Sequence, residues 1–136
     1  ESLRIIREEG LERRYERHLL HSRAFGAGVT AMGLHLFAQE GYRAPMLMAV
    51  TIPEGVDDAA VRRYLLSNYR LEIGGGLGPL KGRIWRVGLM GHSCNSENVV
   101  LLLAGLEGAL AAQGAPVERG AGIEAAREVY KATGRR

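Results

Sequence analysis

The chain has 136 residues, of which 46% are hydrophobic and 24% charged, the composition of an ordinary globular domain. Its 18 basic and 15 acidic side chains give a formal net charge of +3; the two signs are interleaved, so nucleic-acid binding is not expected. No apolar run approaches the ~20 residues that span a bilayer, so no membrane partner is expected either. The single cysteine, Cys94, cannot form an internal disulfide, which favours a reducing compartment and a cytoplasmic location.

The N-terminal third of the sequence predicts two helices. The first covers residues 1–9 and is predicted to end at Gly10, because glycine adopts a left-handed conformation without strain. The second runs from residue 11 to about 32, with apolar residues every three or four positions. Its predicted buried stripe comprises Leu11, Tyr15, Leu19, Ser22, Phe25, Val29 and Met32. A start inside a helix, without an initiator methionine, indicates a piece of a longer protein.

Strands and helices alternate in the remainder of the chain. Residues 34–37 are interpreted as a short edge strand, and the nearly continuous apolar run at 46–52 is typical of a central strand. A helix capped by Asp57 follows, and then strands are predicted at 71–73 and 83–90. Asn95 or Ser96 is predicted to cap a helix over 97–112, and 123–131 form a possible short amphipathic helix.

This order of elements favours an α+β fold. We expect a two-layer sandwich in which a small antiparallel or mixed sheet of three to four strands carries helices on one face. A long helix precedes this unit.

Two groups of chemically active residue types carry little functional signal. His18 and His21 lie three apart on one helix, but no third ligand has suitable spacing, so no metal is expected. His92, Ser93 and Cys94 include nucleophile types side by side, yet a nucleophile needs a base nearby in space rather than in sequence. A polar turn between a strand and a helix is the favoured interpretation of these three residues.

The glycine cluster Gly74, Gly75 and Gly76 opens a predicted loop over 74–79. It lacks the Gly-Lys-Ser/Thr ending of a phosphate-binding loop and precedes a strand rather than a helix. One interpretation is a flexible connection between two strands, because glycine permits positive φ and close backbone approach. The other is a mobile loop at the mouth of a site for a small substrate.

Arg86 is the most informative single residue, since it stands in the middle of an apolar strand. A charged side chain there needs an anionic partner or access to water. A salt bridge to an internal acid such as Glu72, or an exposed sheet face, would satisfy it. Alternatively, its planar guanidinium suits a substrate carboxylate held by two parallel hydrogen bonds. Chemistry alone favours the structural explanation.

The segment at 71–91, LEIGGGLGPLKGRIWRVGLMG, closely resembles the C-terminal segment of class V aminotransferases of the alanine–glyoxylate and serine–pyruvate group. Supporting matches are Glu-Gly-Leu-Glu at 9–12 with Arg17 and His18 downstream, Val-Thr-Ile-Pro-Glu-Gly-Val at 50–56 and Ser-Glu-Asn-Val at 96–99. The similarity covers nearly the whole chain to about Leu110.

The resemblance implies a role for each part of the chain. Arg86 would bind the α-carboxylate of the amino-acid or keto-acid substrate, which reverses the preference from chemistry alone, and the glycine cluster would lie near the substrate entrance. Residues 1–32 would be the helical connection from a large domain, 33–114 the C-terminal small domain, and 115–136 a tail with a possible short helix. The intact enzyme would be a homodimer that moves an amino group between alanine or serine and glyoxylate or pyruvate.

The resemblance also implies what the chain does not carry. The family binds pyridoxal phosphate through a lysine Schiff base in the large domain. Lys81 and Lys131 are the two lysines in this sequence, and neither matches that position. We therefore expect the chain alone to bind no cofactor and to be inactive. The alternative hypothesis is a stand-alone small-molecule-binding or regulatory α+β module without catalysis.

Overall fold

The computed structural model of the protein describes residues 1–134. Helices and strands within that range have the bounds α1 Ser2–Glu9, α2 Leu11–Ala31, β1 Leu47–Thr51, α3 Asp58–Tyr69, β2 Gly74–Gly75, β3 Ile84–Gly88, α4 Ser96–Ala112 and α5 Ala121–Ala132. Two short 3-10 turns, at Gly78–Leu80 and Gly91–Ser93, flank β3. None of the helices described is long and apolar enough to cross a membrane.

The sheet has the strand order β1-β3-β2, and both pairs are antiparallel. Thr51 stands opposite Ile84 at one end of the β1–β3 pair, and Leu47 stands opposite Gly88 at the other. The inward side chains of the two strands join the helices in a single core, and they are Met48, Val50, Trp85 and Val87. The predicted α+β fold, with an antiparallel sheet and helices packed on one face, is confirmed.

Two predicted strands were wrong in extent or position. Residues 34–37 form a single bridge rather than a strand, with Leu36 opposite Val50. The strand predicted at 71–73 lies instead at Gly74–Gly75, because α3 ends at Arg70 in a left-handed conformation with φ 54°. The residues after Arg70 are used in leaving the helix, so the chain first reaches β3 at the glycines. The loop predicted at 74–79 is correspondingly shorter.

The stripe predicted on α2 is correct in its second half and wrong in its first half. Phe25, Val29 and Met32 are buried, and Ser22 is only 7% exposed. Exposed fractions of 39–65% are found instead for Leu11, Tyr15 and Leu19. His18 and His21 take the buried positions, at 9% and 7% exposed. Hydrogen bonds to their ring nitrogens make this burial tolerable, which an apolar pattern does not reveal.

The C-terminal helix α5 crosses α2 at a pair of glycines. A β-carbon placed on Gly28 would lie 2.8 Å from the carbonyl oxygen of Gly122, and one placed on Gly122 would lie 2.7 Å from Met32 Sδ. Because neither position has room for a side chain, the two helix backbones can approach closely. The helix predicted at 123–131 is present and slightly longer.

Side chains cap α3 and α4 as the sequence predicts. Asp57 Oδ1 accepts a hydrogen bond from the backbone N–H of Ala60. Of the two candidates for α4, Asn95 is the cap, because its Oδ1 accepts from the N–H of Asn98 at 2.8 Å. These caps fix where the helices that cover the sheet begin.

Candidate functional site

Arg86 lies in the central strand, on the face of the sheet that the helices leave open. Its neighbours in register are Ala49 on β1 and Gly74 on β2. Side chains alternate between the faces of a strand, so Trp85 and Val87 point into the core while Arg86 is half-buried on the other side. Small residues on both sides leave space for the guanidinium group along the sheet surface.

The backbone of β2 holds the Arg86 side chain by one of its three nitrogens. Arg86 Nε donates a hydrogen bond to the carbonyl oxygen of Gly75 at 2.8 Å. A β-carbon on Gly74 would lie 3.2 Å from Arg86 Nη2 and 3.5 Å from Cζ, so the guanidinium rests directly against this glycine. The group is therefore oriented by β2 through Nε.

The two Nη atoms of Arg86 have no acceptor among residues 1–134, and none of the ion pairs described there includes Arg86. The salt bridge to Glu72 that the sequence left open does not form. A guanidinium fixed at Nε, with both Nη groups directed away from that bond, can bind a carboxylate through two parallel hydrogen bonds. This is the arrangement that a small carboxylate ligand requires.

The three glycines lie where side chains would disturb different neighbours. Gly74 and Gly75 form the edge strand itself, and a β-carbon on Gly75 would lie 3.4 Å from Asp58 Oδ2. One on Gly76 would lie 1.9 Å from the carbonyl oxygen of Leu80, which no rearrangement of a side chain relieves. The cluster thus permits close packing around Arg86 and the turn that follows β2.

Asp58 supports β3 from the core side, a role that sequence reasoning missed. Its Oδ1 accepts hydrogen bonds from the Trp85 indole N–H at 3.0 Å and from Arg62 Nε at 2.9 Å. The hydrogen bond that Arg62 donates to Asp58 raises the pKa of the Arg62 guanidinium. A buried tryptophan needs an acceptor for its N–H, and that requirement was the available signal. Trp85 is thereby fixed next to Arg86.

A polar cluster joins α1 and α2 beside the end of β3. The Glu9 carboxylate accepts from Arg17 Nε at 2.5 Å, from Arg17 Nη2 at 3.0 Å and from Arg14 Nη1 at 2.8 Å. The two guanidinium groups, chiefly through the hydrogen bonds from Arg17, lower the pKa of the Glu9 carboxyl from 4.5 to about 2. Glu9 is therefore a carboxylate at any ordinary pH.

The same cluster holds the connection between β3 and α4 by its backbone. Arg17 Nη1 donates to the carbonyl oxygens of Gly91 at 3.0 Å and Cys94 at 2.7 Å. His18 Nε2 accepts from the Gly91 N–H at 3.3 Å, and His18 Nδ1 bonds to the Arg14 carbonyl oxygen at 2.7 Å. Because a carbonyl only accepts and an amide N–H only donates, the ring is neutral with its proton on Nδ1.

The other residues of chemically reactive types, Cys94 and His21, are buried within the fold. Cys94 is 1% exposed, and burial raises the pKa of its thiol. His21 Nδ1 lies 2.9 Å from the Tyr130 hydroxyl. In the part of the chain that the structure describes, no group of three or more His, Cys, Asp or Glu residues could hold a metal ion.

The two lysines lie in different surroundings. Lys131 on α5 lies 2.5 Å from Glu128 Oε1 and 3.7 Å from Glu124 Oε1. Lys81 is exposed at the end of the 3-10 turn that follows β2. Neither forms a hydrogen bond with Arg86 or with the glycine cluster.

No protein-family model matches the chain. Comparison with curated proteins does find relatives, among them the (S)-ureidoglycine–glyoxylate transaminase of Bacillus subtilis, which is 47% identical over 99% of this chain and 32% of its own length. The crystal structure of that enzyme superposes with a TM-score of 0.91. The resemblance to aminotransferases is thus confirmed.

Two further aminotransferases extend the comparison. The crystal structure of pyridoxamine–pyruvate aminotransferase from Mesorhizobium loti is 36% identical, with a TM-score of 0.92 over 96% of this chain and 34% of that one. Alanine–glyoxylate aminotransferase of Callithrix jacchus is 36% identical over 81% of the chain and 27% of its own length. The chain thus spans about a third of the length of the aminotransferases that it matches.

Proposed function

We propose that the full-length protein is a pyridoxal-phosphate-dependent aminotransferase that uses glyoxylate or pyruvate, and that this chain supplies Arg86 to bind the substrate carboxylate. Pyridoxal phosphate, bound by other parts of the protein, would supply the electron sink that moves an amino group between substrates. Arg86 would fix the substrate so that its reacting carbon faces the cofactor, which lowers the barrier by removing orientational freedom before the chemistry begins.

The state of the Arg86 side chain is the observation that carries this proposal. Its Nε is bonded to the carbonyl oxygen of Gly75, its two Nη groups have no acceptor within residues 1–134, and it lies half-buried on the open sheet face. A half-buried charge without a partner in the protein favours binding of an anion. The flanking Gly74 and Ala49 are small, so neither neighbour in register carries a side chain that could occupy the Nη groups.

The names of the relatives support a small 2-oxo acid as the ligand of this arginine. Their donors differ, being ureidoglycine, pyridoxamine and alanine, whereas the acceptor is glyoxylate or pyruvate in all three. Both acceptors are small 2-oxo acids with a carboxylate. We therefore expect Arg86 to bind the carboxylate of the acceptor in every case. It would also bind the carboxylate of the donor where that donor is an amino acid such as alanine or serine.

Substitution of Arg86 tests the proposal. In the full-length enzyme, Arg86→Gln is expected to raise KM for glyoxylate or pyruvate about a hundredfold, since a charge-paired hydrogen-bonded contact contributes about 2–5 kcal/mol. Arg83→Gln is the matched control, because Arg83 lies on the same segment but is exposed. Steady-state kinetics measure both, and an unchanged KM in Arg86→Gln would exclude the carboxylate role.

The alternative of a stand-alone binding module predicts a different result for this chain by itself. A binding module would take up alanine or glyoxylate in a calorimetric titration, whereas we expect no saturable binding and no absorbance change on addition of pyridoxal phosphate. The homodimeric assembly and the division of the chain at residues 32 and 114 remain predictions from the resemblance.

A further inference from the structure

The connection that follows β3 is held by two consecutive residues of α2. Arg17 and His18 together bind three of its backbone atoms, namely the carbonyl oxygens of Gly91 and Cys94 and the N–H of Gly91. Gly91 has φ 69°, a conformation that other residues rarely adopt. The connection is therefore fixed both by its own backbone and by side chains that reach it from α2.

Glu9 extends this attachment to α1. None of the residues of α1 is buried, and the helix meets α2 at Gly10, which has φ 81° and ψ 144°. Across this bend, Glu9 pairs with Arg14 and with both Nε and Nη2 of Arg17. Because α1 buries no side chain in the domain, its direction relative to α2 depends on these bonds.

The strand that carries Arg86 is continuous with the clamped connection. Gly91 follows Arg86 by five positions, and the intervening Leu89 N–H still donates to the Met46 carbonyl oxygen at 2.9 Å. Trp85, Val87 and Leu89 are buried in the core, so this stretch of backbone moves as a unit. The register neighbours of Arg86 are the small residues Ala49 and Gly74, so the ends of the strand contribute to its position.

We propose that Glu9, Arg17 and His18 form a positioning clamp that sets the angle between α1 and the strand bearing Arg86. The proposal rests on the function proposed above, because the clamp acts through Arg86. In that enzyme, α1 would connect to the part that holds the cofactor. The clamp would then determine where the Arg86 guanidinium lies relative to the reacting atoms, without touching substrate itself.

Two acceptors that differ only in the carboxylate provide the test. Pyruvate and acetaldehyde are compared as acceptors in the full-length holoenzyme, and the ratio of their kcat/KM values reports the contribution of the carboxylate contact. Glu9→Gln is expected to lower kcat/KM for pyruvate about tenfold, mainly through KM, because a small misplacement of a positioning group weakens its contact. Its value for acetaldehyde is expected to stay within about twofold.

Glu8→Gln is the matched control, because Glu8 lies beside Glu9 on α1 but is exposed and pairs with Arg4 alone. We expect Glu8→Gln to leave kcat/KM unchanged for both pyruvate and acetaldehyde. Arg17→Lys is the second variant, and it also replaces Glu9→Gln if that variant does not fold. A single ammonium group cannot bond to Glu9 and to two carbonyl oxygens in the geometry that arginine provides. Arg17→Lys is therefore expected to lower the same ratio.

The outcomes separate this proposal from the function on which it rests. If Glu9→Gln and Arg17→Lys lower kcat/KM for pyruvate and for acetaldehyde by the same factor, or change neither value, the clamp has no positioning role. If Arg86→Gln keeps the preference for pyruvate over acetaldehyde, the carboxylate role itself is wrong. Loss of the preference in Arg86→Gln, together with its retention in both clamp variants, would overturn the clamp alone.

Discussion

The two faces of the sheet differ in almost every physical respect although they share the same three strands. The closed face presents Trp85 and Val87 to the helices, and both side chains are almost completely buried. The open face presents Arg86, flanked in register by Ala49 and Gly74. Because strand residues alternate between faces, adjacent positions of β3 serve stability and binding separately. Substitutions on one face should change the free energy of unfolding, and those on the other should change activity.

The largest effect should come from Trp85, at the centre of the closed face. Trp85→Ala is expected to lower the free energy of unfolding of this chain by about 3–5 kcal/mol through loss of packing and of the bond to Asp58. Urea denaturation followed by circular dichroism measures this. The neighbouring Arg86→Gln is the control and should change stability by no more than about 0.5 kcal/mol. Equal losses at the two positions would contradict the division between faces.

An intermediate effect should come from Glu9, which secures the end of the strand. Since its pKa is lowered from 4.5 to about 2, the carboxylate stabilises the fold above pH 4.5, and this contribution is lost as the pH falls toward 2. Glu9→Gln should therefore destabilise the chain by about 2 kcal/mol at neutral pH. The difference from the unsubstituted chain should shrink steadily below pH 4.5.

Thermal or urea unfolding across this pH range checks the result, with Glu8→Gln as the control that should show little difference at any pH. A destabilisation by Glu9→Gln that is the same at pH 2.5 and pH 7 would mean that the carboxylate charge is not its source.

The smallest effect should come from Gly74, on the open face. Gly74→Ala places a methyl group 3.2 Å from Arg86 Nη2, so the guanidinium must shift by a few tenths of an ångström. We expect KM for glyoxylate or pyruvate in the full-length enzyme to rise about fivefold, which corresponds to about 1 kcal/mol. At Gly88, on the same face, a methyl group would lie 3.6 Å from Met90 Cε, an ordinary contact. Gly88→Ala should therefore leave KM unchanged, and equal effects of the two substitutions would argue against a local action on Arg86.

Hydrophobic periodicity predicted the helices and strands whose buried faces are apolar. The alternation in β3 placed Trp85 and Arg86 on opposite faces. The cap Asp57 was predicted from its residue type, and the second cap was narrowed to Asn95 or Ser96, of which the structure shows Asn95. The fold class followed from the order of these elements. The same apolar pattern identified Arg86 as a candidate binding residue, because a charged side chain within an apolar strand needs a partner or access to water.

The features that the sequence did not predict depend on contacts between distant segments. The buried face of α2 was placed on Tyr15 and Leu19, whereas His18 is buried because Arg14 of the same helix and the distant Gly91 satisfy its ring nitrogens. The support of Trp85 by Asp58 joins positions 27 residues apart, and the bonds from Arg17 to Gly91 and Cys94 join positions 74 and 77 apart. No local pattern contains such pairings.

The crossing of α2 and α5 at Gly28 and Gly122 restricts how this polypeptide can be shortened or divided. Ala126 on α5 is fully buried, and Leu103 on α4 packs against Gly28 at the same crossing. Cleavage in the exposed segment around residue 118 would separate α5 from α2. At their crossing, each helix has room for the backbone of the other but not for an added side chain. A shortened version that ends at the last residue of α4 would keep every side chain of the open sheet face yet expose the apolar flank of α2 to solvent.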